Sequence, residues 1–143
     1  MKKLFLAAVA SAAMLTSAGA VVGAEDEMTF MHNGSLMRMI NLSYGRGIEI
    51  RYVEPRPGLA DIGVREGTLL FNGQWRGSQL IGQARTFSSG CNPMLYDVKG
   101  YVGRYGEIIL EGTAPVVKPY ACYVVEWTKQ SQNAYLRFDR VDG

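Results

Sequence analysis

Past residue 27 the chain alternates short apolar runs with turn signals and sustains no helical period over three turns. The clearest alternation spans residues 48–53, where Ile48, Ile50 and Tyr52 interleave with Glu49 and Arg51. That period of two predicts a strand with one face to a core and one to water. The turn-rich stretch at 42–47 joins it to an apolar run at 35–41. Residues 68–75 and 79–87 flank Arg76-Gly77-Ser78, a hairpin loop of ordinary length, with Asn72-Gly73 as an alternative turn in the same unit. Residues 96–102 and 107–114 flank Gly103-Arg104-Tyr105-Gly106, and residues 121–128 and 135–141 flank a polar loop at 129–133. Four successive hairpins give about eight antiparallel strands. The fold class is all-β, and that number of strands closes into a small barrel that its own side chains can fill. A sandwich of two four-stranded sheets is the alternative.

Residues 54–67 depart from strand logic. Pro55 and Pro57 remove ladder donors, and Gly58, Gly63 and Gly67 punctuate the rest. A loop of this length is expected either to bind a partner or to cross a barrel end with Leu59, Ile62 and Val64 tucked beneath it.

The N-terminus reads as an export signal. Lys2 and Lys3 precede an apolar run at 4–15, and small residues lead to a cleavage site at Val22-Gly23-Ala24 or Ala18-Gly19-Ala20. About 12 apolar residues are too few for a bilayer that needs roughly 20, so no transmembrane segment is expected. No Cys stands at either cleavage site to take a lipid. The expected organisation is a signal peptide at 1–24, a short segment at 25–30 and one barrel domain at 31–143, in the periplasm or secreted.

Export changes the meaning of the charge and of the cysteines. The formal net charge is +2, but Lys2 and Lys3 leave with the signal, and the remaining 13 basic residues balance 13 acidic ones. A neutral chain lacks the footprint of a nucleic-acid binder. Cys91 and Cys122 are the only two cysteines, and an oxidising compartment makes them a disulfide. Closing a loop of about 32 residues stabilises by on the order of 3–4 kcal/mol. The competing reading is a reactive Cys91 with His32 as its base.

Catalytic motifs are sparse. The chain has no G-x-S-x-G elbow, H-E-x-x-H helix, phosphate loop or dinucleotide fingerprint. One His and two Cys do not suit a common zinc site, and no cofactor is expected. His32, Asn33 and Ser35 surround an Asn33-Gly34 turn, which suits a hydrogen-bonding His better than a general base. Glu49, Glu54, Asp97, Glu107 and Glu111 could supply a carboxylate pair for glycoside hydrolysis, although arginine partners are the simpler expectation. Binding is therefore favoured over catalysis, with a hydrolase using His32 and a carboxylate as a third possibility. Tyr44, Arg46, Arg56, Arg104 and Tyr105, on turns or in the proline loop, combine area with directed donors and are the candidate anchors.

Several motifs carry a resemblance. His32-Asn33-Gly34-Ser35-Leu36-Met37, Arg56-Pro57-Gly58-Leu59, Val64-Arg65-Glu66-Gly67-Thr68-Leu69-Leu70-Phe71, Cys91-Asn92-Pro93-Met94-Leu95-Tyr96 and Gly112-Thr113-Ala114-Pro115 together look like an uncharacterised exported alphaproteobacterial β-domain, over residues 31–141. In size, location and architecture the chain also resembles the periplasmic inhibitors of c-type lysozyme, though their Ser- and Gly-containing stretch with a nearby Lys is not matched. That second resemblance implies a protein partner, a c-type lysozyme, blocked by loops inserted into its substrate cleft. The alternative expectation is a barrel-mouth module for a small ligand or glycan, and a homodimer stays open. The leader reading makes one measurable claim. The intact mass of exported protein should correspond to a chain beginning near Glu25 without lipid, and a retained Met1 would overturn it.

Overall fold

The computed structural model describes residues 27–42 and 47–141. The expected signal peptide, together with Tyr44 and Arg46, lies outside the described residues. Eight strands form a closed antiparallel barrel: β1 (Glu27–His32), β2 (Ser35–Asn41), β3 (Gly47–Glu54), β4 (Leu69–Arg76), β5 (Gln79–Thr86), β6 (Met94–Val102), β7 (Ile108–Gly112) and β10 (Tyr135–Arg140). The remaining two, β8 (Ala114–Val117) and β9 (Val124–Thr128), pair only with each other. The barrel is thus shown over the sandwich.

The strand count matches the sequence pattern, but the membership differs at two places. Residues 27–30, expected in a short segment ahead of the barrel, join 31–32 in β1, which pairs along its whole length with β2. Residues 121–128, expected as a barrel strand paired with 135–141, instead leave the barrel. The break comes at Thr113, which separates β7 from β8. Asn72-Gly73 makes no turn. Gly73 lies inside β4 opposite Gly82 of β5, where a Cβ would overlap the Ile81 carbonyl oxygen and crowd the Phe71 ring. Two bare positions facing each other let the sheet coil tightly around Phe71.

Inward alternation builds the core. Phe30, Met37, Met39, Ile48, Ile50, Phe71, Leu80, Leu110, Leu136 and Phe138 are buried in one continuous cluster that fills the barrel. The stretch at 54–67 joins adjacent antiparallel strands at one end, so it does not carry the chain across the barrel. A one-turn 3-10 helix, Leu59–Ile62, sits between Gly58 and Gly63, both with left-handed φ. Leu59 and Val64 are buried and Ile62 packs on the core, so the loop plugs this mouth with its own side chains.

The connections divide into two ends. The 77–78 and 103–107 turns close one end. The Asn33-Gly34 turn, the 55–68 plug, the 87–93 loop and the 113–134 excursion crowd the other. At this crowded end Cys91 and Cys122 form a disulfide, which ties the excursion to the loop after β5. By loop-closure entropy, Cys122→Ser should lower stability by roughly 2–4 kcal/mol, read from the urea midpoint at constant slope. Two titratable thiols in the native exported protein would contradict the bond.

Candidate functional site

The residues singled out from sequence do not gather in one place. Arg104 and Tyr105 lie on the 103–107 turn, with the guanidinium 5.8 Å from the Tyr105 ring centroid and the Tyr105 backbone N–H donating to Glu107 Oε2 at 2.9 Å. Arg56 lies at the opposite end, in the plug. Its backbone N–H donates to the buried Ser35 hydroxyl at 2.9 Å. One flat partner surface cannot take both.

His32 is a structural residue. Only 6% exposed, it stacks on Phe138 with ring centroids 4.6 Å apart. Its Nδ1 lies 2.8 Å from the Arg137 carbonyl, which can only accept, so the proton sits on Nδ1. Nε2 then faces Asn33 Nδ2 at 3.4 Å as an acceptor. Both nitrogens are engaged, and neither partner is a carboxylate. The reading of Cys91 as a thiol nucleophile with His32 as base is overturned, because Cys91 is in the disulfide. Among the candidate carboxylates, Glu49 accepts from Arg51 Nε at 2.8 Å, as an arginine partner should. Glu107 holds its own turn, and Asp97 accepts from Gln83 at 3.4 Å.

The feature that sequence reasoning missed is the excursion itself. β8 and β9 form an antiparallel ribbon with Pro115 opposite Trp127 and Val116 opposite Glu126. Its root is buried at Ala114 and Pro115. Its tip is held by several independent bonds besides the disulfide. The Tyr120 N–H donates to the Ser89 carbonyl at 2.8 Å, the Cys122 N–H to Lys118 O at 2.8 Å and the Lys118 N–H to Tyr123 O at 2.9 Å. Tyr120 and Cys122 both adopt φ of 62°, a left-handed conformation that costs roughly 1–2 kcal/mol for a residue with a Cβ. The fold holds this tip in one conformation against that cost.

On this braced ribbon the large side chains face outward. Tyr120 is 79% exposed, Tyr123 and Val125 each 57% and Trp127 54%. Large apolar side chains concentrated on one exposed segment are a feature that interaction surfaces commonly share. Pro115 and Pro119 stand in the first part of the segment and were the available signal, since Pro is poorly placed inside a closed ladder. The tip also carries the exposed Lys118. Comparison with protein-family models, with curated proteins and with solved structures finds no match.

The buried titratable groups support the structural assignment. Burial pushes the Tyr52 phenol up to about 12 and raises Tyr96 as well, and Tyr96 donates to the Asn133 carbonyl at 2.5 Å. Both remain neutral pins. Burial also lowers the His32 pKa below 6.5, with the Arg56 charge adding to the effect, while the bond to the Arg137 carbonyl opposes it. The unfolded chain therefore takes up a proton near pH 6.5, before the native state does. Stability from this group is complete above that value and falls as the pH drops below it toward the native pKa. Urea midpoints between pH 7.5 and 5 should decline more steeply for the wild type than for His32→Gln; equal slopes would contradict a buried neutral ring.

Proposed function

We propose that the protein is an exported binding protein of lysozyme-inhibitor type, which inserts its disulfide-braced ribbon into the substrate cleft of a c-type lysozyme. The observation that carries this reading is the outward row Tyr120, Tyr123 and Trp127 on a segment whose backbone is fixed in advance. Tyr and Trp dominate interface energetics, and a pre-ordered segment loses little entropy on docking. A glycosidase cleft of this type presents two carboxyl groups and surfaces shaped for sugar rings. The ribbon offers rings of similar breadth and an exposed Lys118 on the same tip. The anchors thus move from the turn arginines to the excursion. Export is supported by the disulfide together with the leader pattern, and among the described residues no helix is long and apolar enough to cross a membrane.

The barrel-mouth ligand reading is less favoured, because Leu59, Ile62 and Val64 occupy the mouth beneath the plug. A lysis assay with purified mature protein tests the proposal. The wild type should slow a c-type lysozyme near equimolar ratio. Tyr120→Ala, Tyr123→Ala, Trp127→Ala or Lys118→Ala at a true anchor should cost at least about 2 kcal/mol, or roughly thirtyfold in affinity. Tyr105→Ala, at the far end, should inhibit like the wild type. No inhibition at large molar excess, or full inhibition by all four ribbon variants, would refute it.

A further inference from the structure

The outer wall of the barrel carries a second feature, away from the aromatic tip. A groove of about 590 Å³ runs over β5, β6, β7 and β10 beneath the segment that returns from the ribbon. The strand register places Ile81, Lys99, Glu111 and Tyr135 side by side in a single row across these four strands. Asp97 stands two residues from Lys99 on the same outward face, and Lys129 overhangs from the return segment. The row is roughly 14 Å long at about 4.8 Å between strands. The volume lies within the roughly 300–1,000 Å³ of small-ligand sites.

The charged groups here carry no ion pair among the described residues, and Asp97 accepts only a long bond of 3.4 Å from Gln83. Ion pairs among the described residues join Arg38 to Glu27, Arg51 to Glu49 and Arg137 to Asp139. Lys99 and Glu111 are direct cross-strand neighbours, yet no ion pair joins them, and Lys129 has none either. Two ammonium and two carboxylate groups balance, so the groove has no net charge to favour an anion or a cation. Carboxylates accept from hydroxyls and ammoniums donate to them. Beside these groups lie the half-exposed Tyr135 ring and the Ile81 side chain, which can cover an apolar face. Donors, acceptors and an aromatic platform in one neutral row match a ligand that has hydroxyls on its rim and C–H groups on its flat faces.

We infer that this groove binds a neutral saccharide of one or two rings, with Tyr135 stacking on a ring face and Asp97, Glu111, Lys99 and Lys129 engaging its hydroxyls. The inference stands apart from the ribbon's partner. Titration calorimetry on the mature protein, with an N-acetylglucosamine trimer and a glucose trimer as probes, tests it. At least one trimer should bind saturably, with Kd on the order of 0.1–1 mM. Tyr135→Ala and the near-isosteric Glu111→Gln should each weaken that binding by about tenfold or more, while Trp127→Ala on the ribbon and Tyr105→Ala leave it unchanged. Thermal melts establish that each variant is folded, and Glu111→Gln keeps the test open if Tyr135→Ala does not fold. Absence of saturable heat with both trimers at about 10 mM, equal binding by folded groove variants, or displacement of the sugar only by a zwitterionic dipeptide would each overturn the assignment.

Discussion

Closure of the barrel is the constraint on which the rest of the structure depends, and it rests on a short seam. β1 meets β10 through only two register pairs, Phe30 with Arg140 and Met31 with Asp139, extended by the Val141 N–H donating to Thr29 O at 3.0 Å. So brief a ladder would be a weak edge on its own. Side chains reinforce it from within. His32 reaches from the end of β1 to the Arg137 carbonyl on β10 and lies against Phe138 of the same strand. The one imidazole in the chain thus fastens the first strand to the last, across 105 residues of sequence. Its burial, its neutrality and its lack of a free nitrogen have this single cause.

Local pattern revealed much of the fold and stopped where long-range pairing took over. Ile48, Ile50 and Tyr52 alternate cleanly because β3 has a core face and a wet face, and nothing distant is needed to read that. β1 has the same arrangement, with Phe30 and His32 inward, but a polar residue in an inward position hides the period. Asn72-Gly73 carries a strong turn signal for a different reason: Gly73 is required by its neighbour Gly82 on β5, and a dipeptide cannot report what lies across a ladder. Residues 124–128 read as a strand and are one. What the pattern could not show is which surface, if any, covers Val125 and Trp127.

The candidate site was less legible than the fold because exposure is a tertiary property. Turn residues such as Arg104 and Tyr105 announce themselves in sequence, since a turn is local. Arg56 looked equivalent in its stiff proline loop, yet that loop folds inward as a plug and lies at the other end of the barrel from the 103–107 turn. Conversely, Tyr123 and Trp127 have the composition of a buried strand and are exposed because β9 pairs with β8 outside the barrel, with the Cys91–Cys122 bond holding the tip beside Tyr120. The groove row is the extreme case. Ile81, Lys99, Glu111 and Tyr135 come from four strands, and only the register brings them into line.

The two ends of the barrel also differ in what their connections must do. Antiparallel neighbours need no more than a tight turn, as 77–78 between β4 and β5 demonstrates. The path from β7 to β10 instead runs through residues 113–134 before it rejoins an adjacent strand. Ordering a residue's backbone costs roughly 1–2 kcal/mol, and barrel closure recovers none of that for the excursion. Part is offset by the buried root at Ala114 and Pro115, by the Tyr96 hydroxyl on the Asn133 carbonyl and by the disulfide, which lowers the entropy of the unfolded chain. The outward rings offset nothing while they face water. On the proposed reading, a segment ordered at this cost, strained at Tyr120 and Cys122 and aromatic on its open side, has its energetic return in a complex, which would put the functional surface at the crowded end.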